Sequence, residues 1–131
     1  MMKQKANIPD LKGKTILVAE DEEINFLFIE TLIEPTGAEV KHVWNGQQAI
    51  DEIKNNKNID LILMDIKMPI IDGYQATRDI KLLRPDIPVV AQTAYALGDD
   101  KIHCFDAGCE EYLSKPLRKN ILYSILHKLL A

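Results

Sequence analysis

Short unbroken apolar runs alternate along the chain with stretches whose apolar residues recur every three or four positions. The first run, Thr15-Ile16-Leu17-Val18-Ala19, is partly β-branched and ends abruptly in acids. A run that never alternates with polar residues predicts a strand buried on both faces. Ile24, Leu27, Phe28, Thr31 and Leu32 then repeat at helical steps and predict one apolar helix face, ended by Pro35 and Gly37. Glu39 to Val43 predicts a second strand, and Asn45-Gly46 leads into a helix carrying Ala49, Ile50 and Ile53. Asp60 to Met64 is the third strand, stopped by Asp65, with a loop from Met68 to Gly73 and a helix from Tyr74 to Leu83. Ile87 to Ala91 forms the fourth strand, followed by Gln92 and Thr93, and Gly98 to Ala107 a weaker helix closed by Gly108. A short fifth strand, Glu111 to Leu113, precedes Lys115-Pro116 and a last helix from about Leu117 with Ile121, Ile125, Leu126 and Leu129 on one side.

Five strand–helix units in strict alternation predict a parallel sheet, because parallel neighbours need crossover connections. The fold class is therefore α/β, a single open doubly wound (βα)5 domain with helices on both faces; a closed eightfold barrel needs more chain. Residues 1–13 read as an extended lead-in ended by Gly13, and 14–131 as the domain.

Composition narrows the class. The chain has 131 residues, 47% hydrophobic and 27% charged, which is ordinary for one globular domain. Sixteen Lys and Arg against twenty Asp and Glu give a net charge of −4, wrong for a general nucleic-acid binder. No apolar run approaches the ~18 residues of a membrane span, and the polar N-terminus has no signal core. Cys104 and Cys109 stand alone and read as reduced, packed thiols. The expectation is a cytoplasmic domain without membrane contact.

In an open parallel sheet the strands point their C-terminal ends to one edge, where ligands bind. The residues just after each apolar run are Glu20 to Glu23, Asp65, Thr93 and Lys115, while the second strand contributes no such group. Two carboxylates ~4 Å apart repel by ~4 kcal/mol at an effective dielectric of 20. A hard divalent cation resolves this, and Mg²⁺ takes one or two carboxylates, waters and a phosphate. Glu22 and Glu23 are equally well explained as negative charge on the first turn of a helix. Asp65 opens no helix and interrupts apolar sequence, so that explanation fails for it. An ammonium and a hydroxyl facing the metal would hold an anion from the other side. Glycine-rich phosphate loops and a GxSxG elbow are absent. His42, His103 and His127 are scattered without metal-ligand spacing, and Trp44 reads as a packing residue.

The segments ILVAEDEEIN (16–25), DLILMDIKMPIIDGYQATRDI (60–80), VVAQTAYA (89–96) and AGCEEYLSKPL (107–117) together resemble the receiver domains of two-component response regulators and hybrid sensor histidine kinases. The resemblance implies a flavodoxin-like sheet of order 2-1-3-4-5. It makes Asp65 the phosphoacceptor for a phosphoryl group from a histidine kinase or histidine phosphotransfer protein. It assigns Mg²⁺ to Asp21, Asp65, the backbone carbonyl of Lys67 and, through water, Glu20. Thr93 becomes the hydroxyl that turns toward the phosphoryl group, Lys115 its ammonium partner before a cis bond to Pro116, and Tyr112 the aromatic switch. A homodimer through the fourth helix, fifth strand and fifth helix is a further implication. Glu20 stands where many relatives have Asp. Lys67 and Tyr95 flank the path of water to an acyl phosphate and are expected to tune its lifetime. Asn25 and the lead-in LKGKTILVAEDEEIN look more like the hybrid kinases. Two other readings stay open: a receiver-like interaction module that works without phosphorylation, and an aspartyl-nucleophile phosphatase, which would want an acid where Lys67 stands.

Overall fold

The computed structural model describes residues 7–94 and 99–131. Five strands, β1 (Thr15–Ala19), β2 (Glu39–Val43), β3 (Leu61–Asp65), β4 (Val89–Thr93) and β5 (Glu111–Ser114), alternate with five helices. These are α1 (Glu23–Ile33), α2 (Gly46–Asn55), α3 (Gly73–Leu83), α4 (Asp99–Ala107) and α5 (Lys119–Leu130). All strand pairs are parallel, in the order β2-β1-β3-β4-β5. Every residue of β1, β3 and β4 is buried, as an unbroken apolar run requires of an inner strand. The outer strands β2 and β5 are only partly covered.

Alternate residues of the inner strands feed two cores. Leu17, Ala19, Ile62, Met64, Val89 and Ala91 pack with Ala49, Ile50 and Ile53 of α2, Ala76 and Ile80 of α3, and Cys104 of α4. Ile16, Val18, Leu61, Leu63 and Val90 pack on the opposite face with Phe26, Ile29 and Ile33 of α1 and with Leu122 and Leu126 of α5. Chain order reverses between β1 and β3, which opens a crevice at their C-terminal ends.

The helix beginnings are anchored beside that crevice. Asn45 caps α2 by accepting from the Gln48 amide at 2.8 Å, and Asp72 caps α3 through the Gln75 amide at 2.9 Å. Gly73 has no room for a side chain, because a Cβ there would lie 2.4 Å from the Asp65 carbonyl oxygen. The start of α3 is thereby pressed against the end of β3.

Two helix faces depart from the sequence reading. The apolar face expected on α1 is its outer face: Ile24 is 81% exposed, Leu27 49% and Phe28 46%. Phe26, Ile29 and Ile33 are buried instead, because this helix is apolar on both sides and tertiary packing, not periodicity, selects the inner one. Likewise α5 begins at Lys119 and buries Leu122, Tyr123 and Leu126 while Ile121 is exposed. Part of the lead-in packs on the domain. Leu11 is 1% exposed in the core under α1 and α5, and its amide donates to the Thr36 carbonyl at 2.8 Å.

Candidate functional site

Asp65 and Thr93 are the last residues of β3 and β4, Glu20 follows β1, and Lys115 follows β5 by one residue. The ends of four parallel strands therefore place these side chains on one rim. Asp65, Thr93 and Lys115 border a cleft of about 740 Å³ that Asp21, Asn25, Lys67, Tyr74 and Asp100 also line, with Glu20 buried behind it.

Carboxylate oxygens of Glu20, Asp21 and Asp65 lie within 4.8 Å of one another, with Glu20 and Asp65 buried and Asp21 exposed. Lys115 Nζ donates to Asp65 Oδ2 at 3.0 Å and approaches Glu20 Oε1 to 3.5 Å. The Lys67 amide donates to Asp65 Oδ1 at 3.2 Å, and the Glu22 amide to Glu20 Oε2 at 3.1 Å. Burial, and then the charge of Asp65, push the Glu20 carboxyl up from 4.5 to about 7, although Lys115 pulls the other way. Burial alone would depress the Lys115 ammonium; the hydrogen bond and charge of Asp65, with the charge of Glu20, outweigh it and hold it above its ordinary value. The Lys115-Pro116 peptide is cis, and the Lys115 amide donates to the Thr93 carbonyl at 2.9 Å.

Glu20 Oε1 is buried and has no hydrogen-bond partner. An unsatisfied buried carboxylate oxygen, beside two further carboxylates, is the donor set a hard cation requires. The residues therefore fit Mg²⁺, with Glu20, Asp21 and Asp65 as its protein oxygens. Lys67 reaches the rim through its amide, which places its backbone beside the same carboxylates.

Of the other candidates, Thr93 is buried and donates from Oγ1 to Asp100 Oδ2 at 3.3 Å. Tyr112 stands apart from the cleft, half-buried in β5, with its ring edge-on to Phe105 of α4 at 6.0 Å and the Lys101 ammonium 5.7 Å from its centroid. Tyr95 lies outside the described residues.

Sequence reasoning missed two contributors. The second strand brings no acid, hydroxyl or ammonium to the rim, but His42 of β2 bonds the Glu20 carbonyl through Nε2 at 2.8 Å, a supporting role its position in the sequence does not signal. Its ring lies flat on Phe26 at 3.8 Å and is covered at 4.1 Å by the tilted ring of Trp44. The β1–α1 loop is thus held at one end by a hydrogen bond and at the other by a ring stack. Asp100 was the second omission; an acid in the first turn of a helix is so common that its position carries no signal.

Residues 16–127 match the family of response regulator receiver domains. The chain belongs to this family. Among relatives of this receiver domain, the polar-differentiation response regulator DivK of Brucella anthropi is 38% identical, over 79% of this chain and 85% of its own length. Hybrid signal transduction histidine kinase I of Dictyostelium discoideum is 36% identical over 86% of this chain, which spans only 7% of that protein. The receiver domain of a sensor histidine kinase from Pseudomonas aeruginosa PAO1, solved with magnesium coordinated in its active-site cleft, is 37% identical with a TM-score of 0.83. That alignment covers 90% of this receiver domain and 98% of the other. No helix among the described residues is long and apolar enough to cross a membrane.

Proposed function

We propose that this receiver domain accepts a phosphoryl group on Asp65 from a phosphohistidine and passes the change on as a conformational signal. One observation carries the reading: Asp65 is buried between a lysine ammonium at 3.0 Å and two further carboxylates, one of which has an oxygen without a partner. A carboxylate so placed is oriented from both oxygens and needs a cation to approach a phosphate.

Glu20, Asp21, Asp65 and the backbone carbonyl of Lys67 are the residues that would hold Mg²⁺. When bound, that ion neutralises the carboxylates and the phosphoryl oxygens. An Asp65 carboxylate oxygen attacks phosphorus, forming the P–O bond as the P–N bond to the donor imidazole breaks and its electron pair returns to the ring. Lys115 then faces the transferred group with its positive charge. Thr93 supplies a hydroxyl donor to the same group, and Tyr112, packed on α4, relays its movement. Hydrolysis of the acyl phosphate resets the domain, with Lys67 beside the path of water. Self-phosphorylation and slow dephosphorylation are the whole of its chemistry, not turnover of a metabolite.

A phosphohistidine must come down over the rim, next to the start of α1. Asn25 lines the cleft, and the exposed Ile24, Leu27 and Phe28 continue from it as an apolar strip for a helical donor protein. The two free, buried thiols suit the reducing cytoplasm. Residues 14–131 form the receiver unit of this reading, joined by Leu11 from the lead-in.

Incubation with acetyl phosphate and Mg²⁺, followed by mass measurement, tests the assignment. One phosphoryl adduct is expected, absent in Asp65→Asn and after chelation. Retained partner binding without an adduct would instead support an interaction module, and sustained hydrolysis of phosphomonoesters a phosphatase.

A further inference from the structure

We propose that Asp100 is a positioning residue that holds the Thr93 hydroxyl off the acceptor until Asp65 is phosphorylated; this rests on Asp65 being the phosphoacceptor. Thr93 Oγ1 donates to Asp100 Oδ2 at 3.3 Å, and Tyr74 donates its hydroxyl to Asp100 Oδ1 at 3.5 Å. One carboxylate thereby joins the end of β4, the first turn of α3 and the first turn of α4. Tyr74 also packs edge-on to His103, 5.8 Å away on α4. Thr93, Tyr74 and Asp100 line the cleft that holds Asp65 and Lys115.

A threonine hydroxyl has a single proton to donate. While it serves Asp100 it cannot serve a phosphoryl group on Asp65. Asp100 and the phosphoryl group are therefore competing acceptors for one donor. The incoming group also brings about −1.5 to −2 of charge into a cleft that Asp100 already lines with a carboxylate. Both effects oppose phosphorylation, and relieving either frees the start of α4 from β4 and α3. The two bonds are longer than the ~2.7–2.8 Å usual between oxygens, so a charged phosphoryl acceptor can win the hydroxyl. If Asp100 served only the helix dipole, its loss would lower stability and leave phosphorylation unchanged, and Asp99 already occupies the same turn.

The test compares the initial rate and steady-state level of the Asp65 adduct, with acetyl phosphate and Mg²⁺, in wild type, Asp100→Asn and Asp100→Ala. Each is also made in a Thr93→Ala background, and thermal unfolding is recorded for all. Asp100→Ala is expected to raise the phosphorylated fraction about five- to tenfold, the effect of one modest hydrogen bond. Asp100→Asn, which keeps an acceptor but no charge, should fall between. The gain should shrink in the Thr93→Ala background, because the two residues act through one bond. Equal levels in all three proteins, or an undiminished gain without the Thr93 hydroxyl, would overturn the proposal while leaving Asp65 as acceptor. Absence of an adduct in wild type would overturn both.

Discussion

Lys115 Nζ lies 3.5 Å from Glu20 Oε1 without giving it a hydrogen bond, although the same ammonium bonds Asp65 at 3.0 Å. One cation is shared by two buried carboxylates, and one of them stays under-served. The site without metal is consequently strained by charge, and that strain has measurable consequences.

The first concerns pH. Glu20 holds its proton to about pH 7 in the folded chain, against an ordinary 4.5, because burial and Asp65 disfavour its anion. The folded state thus binds this proton more tightly than the unfolded one. Its contribution to stability is complete below about pH 4.5 and is lost as the pH rises through 7. Thermal unfolding without divalent metal should show Tm falling by roughly 5 °C across that window. Mg²⁺, which favours the anion, should recover the loss at the alkaline end. The same slope in Glu20→Gln would contradict this account.

Replacing Lys115 should separate metal binding from phosphoryl transfer. The ammonium competes with a metal for the same oxygens, so Lys115→Met is expected to bind Mg²⁺ several-fold more tightly. It should nonetheless form the acyl phosphate at least ~10-fold more slowly, since the transferred charge loses its cation. Calorimetric titration and the rate of adduct formation read the two effects independently; parallel losses in both would refute the competition.

His42 offers a third measurement. In His42→Phe the ring can still stack on Phe26, but the Glu20 carbonyl loses its partner. The expected cost is about 1–2 kcal/mol in denaturant unfolding, despite a more apolar side chain. His42→Gln can still donate from its side-chain amide and should recover part of it. No difference between the two variants would mean that only the stack matters.

The faces of α1 can be told apart by substitution. Ile29→Ala, which empties a buried site, should destabilise by about 2–5 kcal/mol. Ile24→Ala should change stability by less than ~0.5 kcal/mol, yet slow phosphoryl transfer from a phosphohistidine protein while leaving acetyl phosphate chemistry intact. A rate from the phosphohistidine protein unchanged from wild type in Ile24→Ala would remove α1 from the docking surface.

These variants also mark what was legible in the residues themselves. β1, β3 and β4 could be located because strands buried on both sides are almost wholly apolar, although β3 and β4 run on through the polar Asp65 and Gln92-Thr93, past the ends that the apolar runs mark. Lys115 could be placed because it follows a short strand and precedes a proline. α1 could not be oriented: with apolar residues on both sides, periodicity gives two answers, and the choice belongs to the sheet it lies on. Leu11 was hidden because a lone apolar residue in a polar stretch has no period at all. His42 and Asp100 are ordinary residues in ordinary places, and only the closeness of other elements in space gives them partners.

The ring stack beneath the acidic loop has a practical corollary. Trp44 is the sole indole in the chain and touches the imidazole that grips the Glu20 carbonyl. Any ion or covalent group that tugs on that loop shifts the surroundings of a native fluorophore two contacts away. The domain therefore carries its own optical probe, and light emission can follow loading of the rim in real time without a label.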